Sequence, residues 1–190
     1  MGHKVDKKTG NLGYGFIHYA LIRITGPKHI LCVGSKKGFI PAICALACKD
    51  NKRGHVDFVD AGYAPPHPKS WAGDGFWKKV NPERHFSKLG LSGWITTYVM
   101  TSKEFAQKYP QRKYGYIYID GDHSYRGVKS DYNLFWPRLL KNGFMVFHDV
   151  TVKKWEKLLG FGVWKLWREI KSGHKIVFPL EQSGLGILQK

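Results

Sequence analysis

The chain has 190 residues, 43% of them hydrophobic and 15% aromatic, and carries 31 Lys and Arg against 14 Asp and Glu for a net charge of +17. That composition excludes a disordered tail, and no stretch reaches the roughly 18 consecutive apolar residues of a membrane span. Met1-Gly2-His3-Lys4 lacks the apolar core of a signal peptide, so one cytoplasmic domain over residues 1–190 is expected, with no membrane partner. The charge attracts polyanions and anionic metabolites, but the basic residues are dispersed and name no partner by themselves.

Residues 1–12 are polar and Lys-rich and are expected to be flexible. Ile17, Ala20, Leu21 and Ile24 then repeat at i, i+3, i+4 and i+7, which predicts a helix with those residues inward, ended by Gly26-Pro27. His29 to Val33 reads as a strand covered on both faces. Gly34-Ser35-Lys36-Lys37-Gly38 follows, and a second helix opens with Pro41 in its first turn, with Ile40, Ile43, Cys44 and Ala47 as its core stripe. A glycine turn between strand and helix lets backbone N–H groups approach a ligand. Val56 to Val59 is the next strand, and Asp60 ends it, where an acid can accept ribose hydroxyls. Cys32, Cys44 and Cys48 show no metal-type spacing and read as reduced, buried hydrophobes.

The stretch 61–93 holds Pro65, Pro66, Pro68, Pro82, Trp71, Phe76 and Trp77, and reads as a substrate-facing insertion or lid. Trp94 to Val99 is a third strand, and Thr101-Ser102-Lys103-Glu104 is a capping box opening a short helix. Tyr116 to Ile119 forms a strand that breaks at Asp120-Gly121-Asp122-His123. Val128, Tyr132, Phe135 and Leu139 mark a helix stopped by Asn142-Gly143, and Phe144 to Phe147 is a strand ending at His148-Asp149. Strand, helix and strand at this length make a βαβ unit with parallel neighbouring strands. Asp120, Asp122, His123, His148 and Asp149 should therefore converge at the carboxyl edge, where open α/β sheets bind ligands. Val163, Trp167 and Ile170 mark a last helix, and Ile176 to Phe178 with Gly184 to Leu188 form a terminal antiparallel hairpin. The fold class is α/β, a doubly wound, mostly parallel sheet.

These residues resemble the class I S-adenosylmethionine-dependent methyltransferases, most closely the macrocin-type and cephalosporin-tailoring O-methyltransferase branch, over about Tyr14 to Leu188. Ile119 to Tyr125, Lys141 to Phe144, His148-Asp149, Gly162-Val163-Trp164 and Gly184 to Gly186 carry the resemblance. It implies a Rossmann-like sheet that binds S-adenosylmethionine through Gly34, Ser35, Lys36, Gly38, Asp60, Thr101, Ser102 and Asp120. It also implies a divalent cation, Mg²⁺ or Mn²⁺, on Asp120, His148 and Asp149, with His123 and Asp149 carrying catalysis. Cys32 and Lys36 depart from the family pattern, and His148 stands where a carboxylate is usual, which favours a softer ion than Mg²⁺. A histidine near pKa 6.5 accepts a proton at neutral pH, so His123 is expected to act as the base. The resemblance implies O-methylation of a small or sugar-like acceptor, and the net charge admits an anionic one. The charge keeps two other readings open, an RNA methyltransferase and a non-catalytic nucleotide- or RNA-binding module with the same fold. Oligomeric state is not legible.

Overall fold

Ile30, Leu31, Cys32 and Val33 are each at most 4% exposed, the pattern of a strand sandwiched between two helical layers. The computed structural model describes residues 5–6, 8–63, 75–154, 156, 160–179 and 183–190. Its strands are β1 (His29–Val33), β2 (His55–Val59), β3 (Ile95–Tyr98), β4 (Tyr114–Ile119), β5 (Leu139–His148), β6 (His174–Phe178) and β7 (Leu185–Gln189). They form one sheet in the order β3-β2-β1-β4-β5-β7-β6. Neighbours from β3 to β5 are parallel, and β7 runs antiparallel to both β5 and β6. The sequence order reverses between β1 and β4, so the ligand crevice of such a sheet lies at their carboxyl ends. The expected hairpin forms, with β7 inserted between β5 and β6.

The helices divide by face. On one side, α1 (Gly15–Thr25), α2 (Phe39–Asp50), α3 (Phe76–Lys79) and α4 (Pro82–Ser87) bury Ile22, Ile40, Cys44, Trp77 and Phe86 against Ile30, Phe58, Tyr116 and Tyr118. On the other, α5 (Ser102–Lys108), α6 (Tyr125–Phe135) and α7 (Val163–Glu169) bury Phe105, Val128, Phe135 and Trp167 against Leu31, Ile117, Met145 and Phe147. Side chains alternating along each strand feed the two cores in turn. The three cysteines are free and buried.

Several local expectations give way to tertiary contacts. In α1 the buried residues are Gly15, His18 and Ile22, while Ala20 is exposed and Ile24 is 83% exposed. His18 goes inward because its Nδ1 lies 2.6 Å from the Tyr116 hydroxyl, and a satisfied polar pair can be buried where an unsatisfied one cannot. Leu139 does not belong to α6. Pro137 sits in a 3₁₀ turn (Trp136–Arg138) that ends the helix, and Leu139 already begins β5. Asn142 has φ 62°, yet it lies within β5, where the register with β4 slips between Tyr114 and Tyr116.

Within 61–93, Pro65, Pro66, Pro68 and Trp71 lie outside the described residues. Trp77, expected at a substrate surface, is 3% exposed and packs edge-on against Phe58 of the core at 5.1 Å between centroids. At the amino end, residues 1–4 and 7 are also outside the described residues, and Asp6 bridges to Asn11. No helix among the described residues is long and apolar enough to cross a membrane.

Candidate active site

Gly34 leaves β1 with φ +71°, and a Cβ there would lie 2.3 Å from the carbonyl oxygen of Asp120. The turn after β1 and the end of β4 are thus in backbone contact, which only glycine permits. Asp120 N–H donates to the Val33 carbonyl at 2.8 Å and extends the ladder to the sheet edge. Gly38, at φ +81°, precedes α2 and is backed by Trp77 Cζ2, 2.9 Å from where its Cβ would stand. The α3 segment therefore buttresses the glycine turn. Lys36 holds φ 34°, uncommon for a residue with a side chain. Ser35 is buried, and its backbone N–H, with that of Gly62 at 2.8 Å, donates to the Asp60 carboxylate. Burial raises the Asp60 pKa against those hydrogen bonds.

At the ends of β3 and α5 the capping box forms as expected. Thr101 accepts from Glu104 N–H at 3.1 Å, and Thr101 N–H donates to the Glu104 carboxylate at 2.8 Å. The Thr101 side chain, N–H and carbonyl are all engaged in the cap and the helix it opens. Ser102 Oγ donates to Asp131 Oδ1 at 2.5 Å. Asp131 is buried on the inward stripe of α6, and burial pushes its pKa up to about 7. Sequence reasoning passed over it, although an acid between Val128 and Phe135 on an apolar stripe was a visible signal.

The ends of β4 and β5 bring four titratable side chains together. His123 places Nε2 3.1 Å from Asp120 Oδ1 and Nδ1 2.9 Å from Asp149 Oδ2. His148 Nδ1 lies 3.3 Å from Asp120 Oδ1 and 3.1 Å from Asp149 Oδ1. Each imidazole thus faces both carboxylates. Burial alone would push the imidazoles down, but the carboxylates outweigh it and lift His123 to about 9 and His148 to about 10. The imidazoles in turn overcome burial and hold Asp120 and Asp149 below the usual carboxylate range. His123 is therefore protonated at neutral pH in this arrangement, contrary to the expectation of an ordinary histidine base.

Local structure holds the cluster. Ser124 caps α6 by accepting from Gly127 N–H, and Asp122 accepts from Ser124 N–H at 2.8 Å. Asp122 is exposed and belongs to the turn, not to the cluster. The Gly162 N–H donates to the His123 carbonyl at 2.8 Å, and Phe161 meets the His123 ring edge-on at 5.0 Å. Asp149 has φ 64°, a strained conformation of the kind retained at functional positions. The buried Tyr118, whose phenol is kept protonated by burial and then by Asp120, floors the site.

One group of three residues has the spacing of a cation site. Ligand atoms of Asp120, His123 and His148 all lie within 4.8 Å of one another. Two imidazoles and one carboxylate suit Mn²⁺, Fe²⁺ or Zn²⁺ better than Mg²⁺. Asp149, expected as a third ligand, lies with its carboxylate against both rings, where it can orient them.

A family model described as a methyltransferase domain matches residues 31–150. Two curated relatives match shorter stretches. Uncharacterized protein y4gI of Sinorhizobium fredii is 37% identical over 73 residues, 38% of this chain and 8% of that protein. Uncharacterized protein R132 of Acanthamoeba polyphaga mimivirus is 32% identical over 68 residues, 36% of this chain and 31% of that protein. The chain therefore matches less than a third of the length of either relative.

Solved structures resemble the fold over nearly the whole chain. The O-methyltransferase TomG of Streptomyces achromogenes, in complex with SAM, has a TM-score of 0.69 at 11% identity, covering 94% of this chain and 80% of that one. A Bacillus cereus O-methyltransferase in complex with SAH has a TM-score of 0.66 at 12% identity, covering 100% and 84%. A putative caffeoyl-CoA O-methyltransferase of Staphylococcus aureus has a TM-score of 0.68 at 14% identity, covering 98% and 85%.

Proposed function

Because the chain belongs to the methyltransferase-domain family, we propose that it transfers the methyl group of S-adenosylmethionine to an oxygen of a small or sugar-like acceptor. The observation that carries this reading is the convergence of Asp120, His123, His148 and Asp149 beside the glycine turn, at the switch point of the sheet. The SAM- and SAH-bound O-methyltransferases with this fold support the cofactor and the atom methylated.

Gly34, Ser35, Lys36 and Gly38 would pass beneath the cofactor, Asp60 would accept its ribose hydroxyls, and the main chain of Thr101 and Ser102 would flank its base. The bound cofactor supplies an already activated methyl group. What remains for the chain is to align the acceptor and remove its proton. Asp120, His123 and His148 would hold a divalent cation, which would acidify a hydroxyl bound to it. Asp149 orients His123 and His148 from their Nδ1 side. With both carboxylates against it, His123 would accept the acceptor's proton only after giving up its own at alkaline pH, and as a cation ligand it would not serve as the base.

The test is calorimetry with S-adenosylhomocysteine followed by a radiolabelled-methyl assay against pooled hydroxyl-bearing metabolites. Binding in the micromolar range and incorporation that a chelator abolishes and Mn²⁺ restores are expected. Incorporation that ignores the chelator but climbs toward pH 9 would assign the proton to His123 without a cation. Absence of cofactor binding by the folded protein would overturn the reading.

A further inference from the structure

The outer faces of α6 and α7 concentrate positive charge that the methyl-transfer chemistry does not use. The helices are joined by Glu169, which accepts from the Tyr125 hydroxyl at 2.7 Å and lies 3.4 Å from Lys129 Nζ. Around that bridge stand Arg126 and Lys129 of α6, Lys165 and Arg168 of α7, Lys171 just beyond α7, and Lys153 from the β5–α7 connection. The acids described among them are Glu169, taken up by the bridge, and Glu156, paired with Lys165. Two shallow grooves flank the bridge, one along α6 past Arg126, Lys129 and Asn133, the other along α7 past Lys165, Arg168 and Lys171.

Three of these cations converge on one aromatic ring. Lys153, Lys165 and Arg168 stand 5.5, 5.6 and 5.9 Å from the centroid of Trp164. Glu156 answers the charge of Lys165, and the ring quadrupole offsets part of that of the other two. An anion beside the ring would answer the rest, and the ring already restrains the side chains that would receive it. Lys165 and Arg168 of α7 and Lys171 just beyond it line one groove, a row suited to successive phosphates.

We propose that the α6–α7 face binds single-stranded RNA, with phosphates on the two rows of cations. A lipid surface fits poorly, because neither helix exposes a large apolar side chain to insert. Tyr125 and Trp164, half-buried beneath Lys129 and the α7 cations, supply the aromatic and cationic pairing of single-strand binders, which an acidic peptide does not require. The face begins at the candidate active site, where Phe161 and Gly162 lead into α7. The inference goes beyond the proposed acceptor and stands without it.

Fluorescence anisotropy with a labelled RNA of about 15 nucleotides tests it. For four or five phosphates contacted, log affinity should fall against log salt with a slope of about −3. The double variant Lys165→Glu/Arg168→Glu should bind about tenfold or more weakly, with a slope shallower by about 1 to 2. The double variant Lys52→Glu/Arg53→Glu, an equal change of charge in the exposed loop before β2, should bind within about twofold of the wild type. An unchanged circular-dichroism melt shows that the variants fold. Equal losses in both double variants, no loss in the α7 variant, or tighter binding of polyglutamate or phosphatidylserine vesicles than of RNA would overturn the proposal. Calorimetry with S-adenosylhomocysteine on the same samples keeps this outcome separate from the methyl-transfer reading.

Discussion

Two networks of charge are set into the same sheet, and they differ in what their cations can release. Near the middle of the sheet, Arg112 donates to Asp57 of β2 at 2.8 Å and to the Tyr98 hydroxyl at 3.0 Å, while the Tyr114 hydroxyl donates to Asp57 at 3.2 Å. The guanidinium lies 3.9 Å from the Tyr109 centroid and packs over Tyr98 and Phe105 as well. At the carboxyl edge, two imidazoles face two carboxylates at similar distances. A guanidinium keeps its proton at any working pH, so the first network can only hold. Imidazoles can surrender theirs to a solvent base, a substrate or a metal. Equal proximity of opposite charges thus fixes the proton in one place and leaves it exchangeable in the other.

The largest expected effect is on the edge cluster. His123→Ala and Asp149→Ala should each lower methyl transfer by about 100-fold in the folded protein, and each should also lower the unfolding midpoint, because it leaves a charged partner in the cluster without its counter-ion. Near-normal rates in both variants, measured by methyl incorporation, would erase the functional contrast between the networks. Breaking the other network should lower stability alone. Arg112→Ala leaves a buried carboxylate without its cation and should cost about 3 kcal/mol in urea unfolding, with activity retained in the folded fraction. A smaller effect belongs to Asp60→Ala, where loss of hydrogen bonds to a charged acceptor should weaken S-adenosylhomocysteine about tenfold. Calorimetry at unchanged stability reads that change.

The pH dependence sharpens the comparison further. His123 and His148 have folded-state pKa values of about 9 and 10, above the ordinary 6.5. Their stabilisation is complete below pH 6.5 and is lost as pH rises through those values. Asp120 and Asp149 are shifted down from 3.8, so their contribution is present above that value and is lost as pH falls below it. Thermal melts of metal-free protein should therefore decline on the alkaline side, and His148→Asn should flatten that decline while Arg112→Ala leaves its shape intact. A further pH effect is at Asp131. Its pKa, raised from 3.8 to about 7, removes stability as pH climbs between those values, and Asp131→Asn should abolish that slope while keeping an acceptor for Ser102.

Much of this architecture was readable along the chain. Apolar runs placed β1, β2 and β4, and the capping box at Thr101 placed the start of α5. The βαβ reading of Tyr116 to Asp149 brought Asp120, His123, His148 and Asp149 to one edge, because parallel strands end on the same side. Periodicity failed where a polar residue found a buried partner. His18 turned α1 by binding Tyr116, and Asp131 entered the core of α6 by binding Ser102. It also failed at Trp77, whose aromatic character suggested a ligand surface but which instead backs Gly38.

What the sequence by itself determined is local and periodic: which segments are strands, where turns admit glycine, and that acids and histidines follow β4 and β5. Only the tertiary structure decided that each imidazole touches both carboxylates, that ligand atoms of His123, Asp120 and His148 lie within reach of one cation, and that Arg112 neutralises Asp57. Pairings between residues far apart in the chain depend on strand register and rotamer. Those are settled when the whole sheet closes, and no window of sequence contains them.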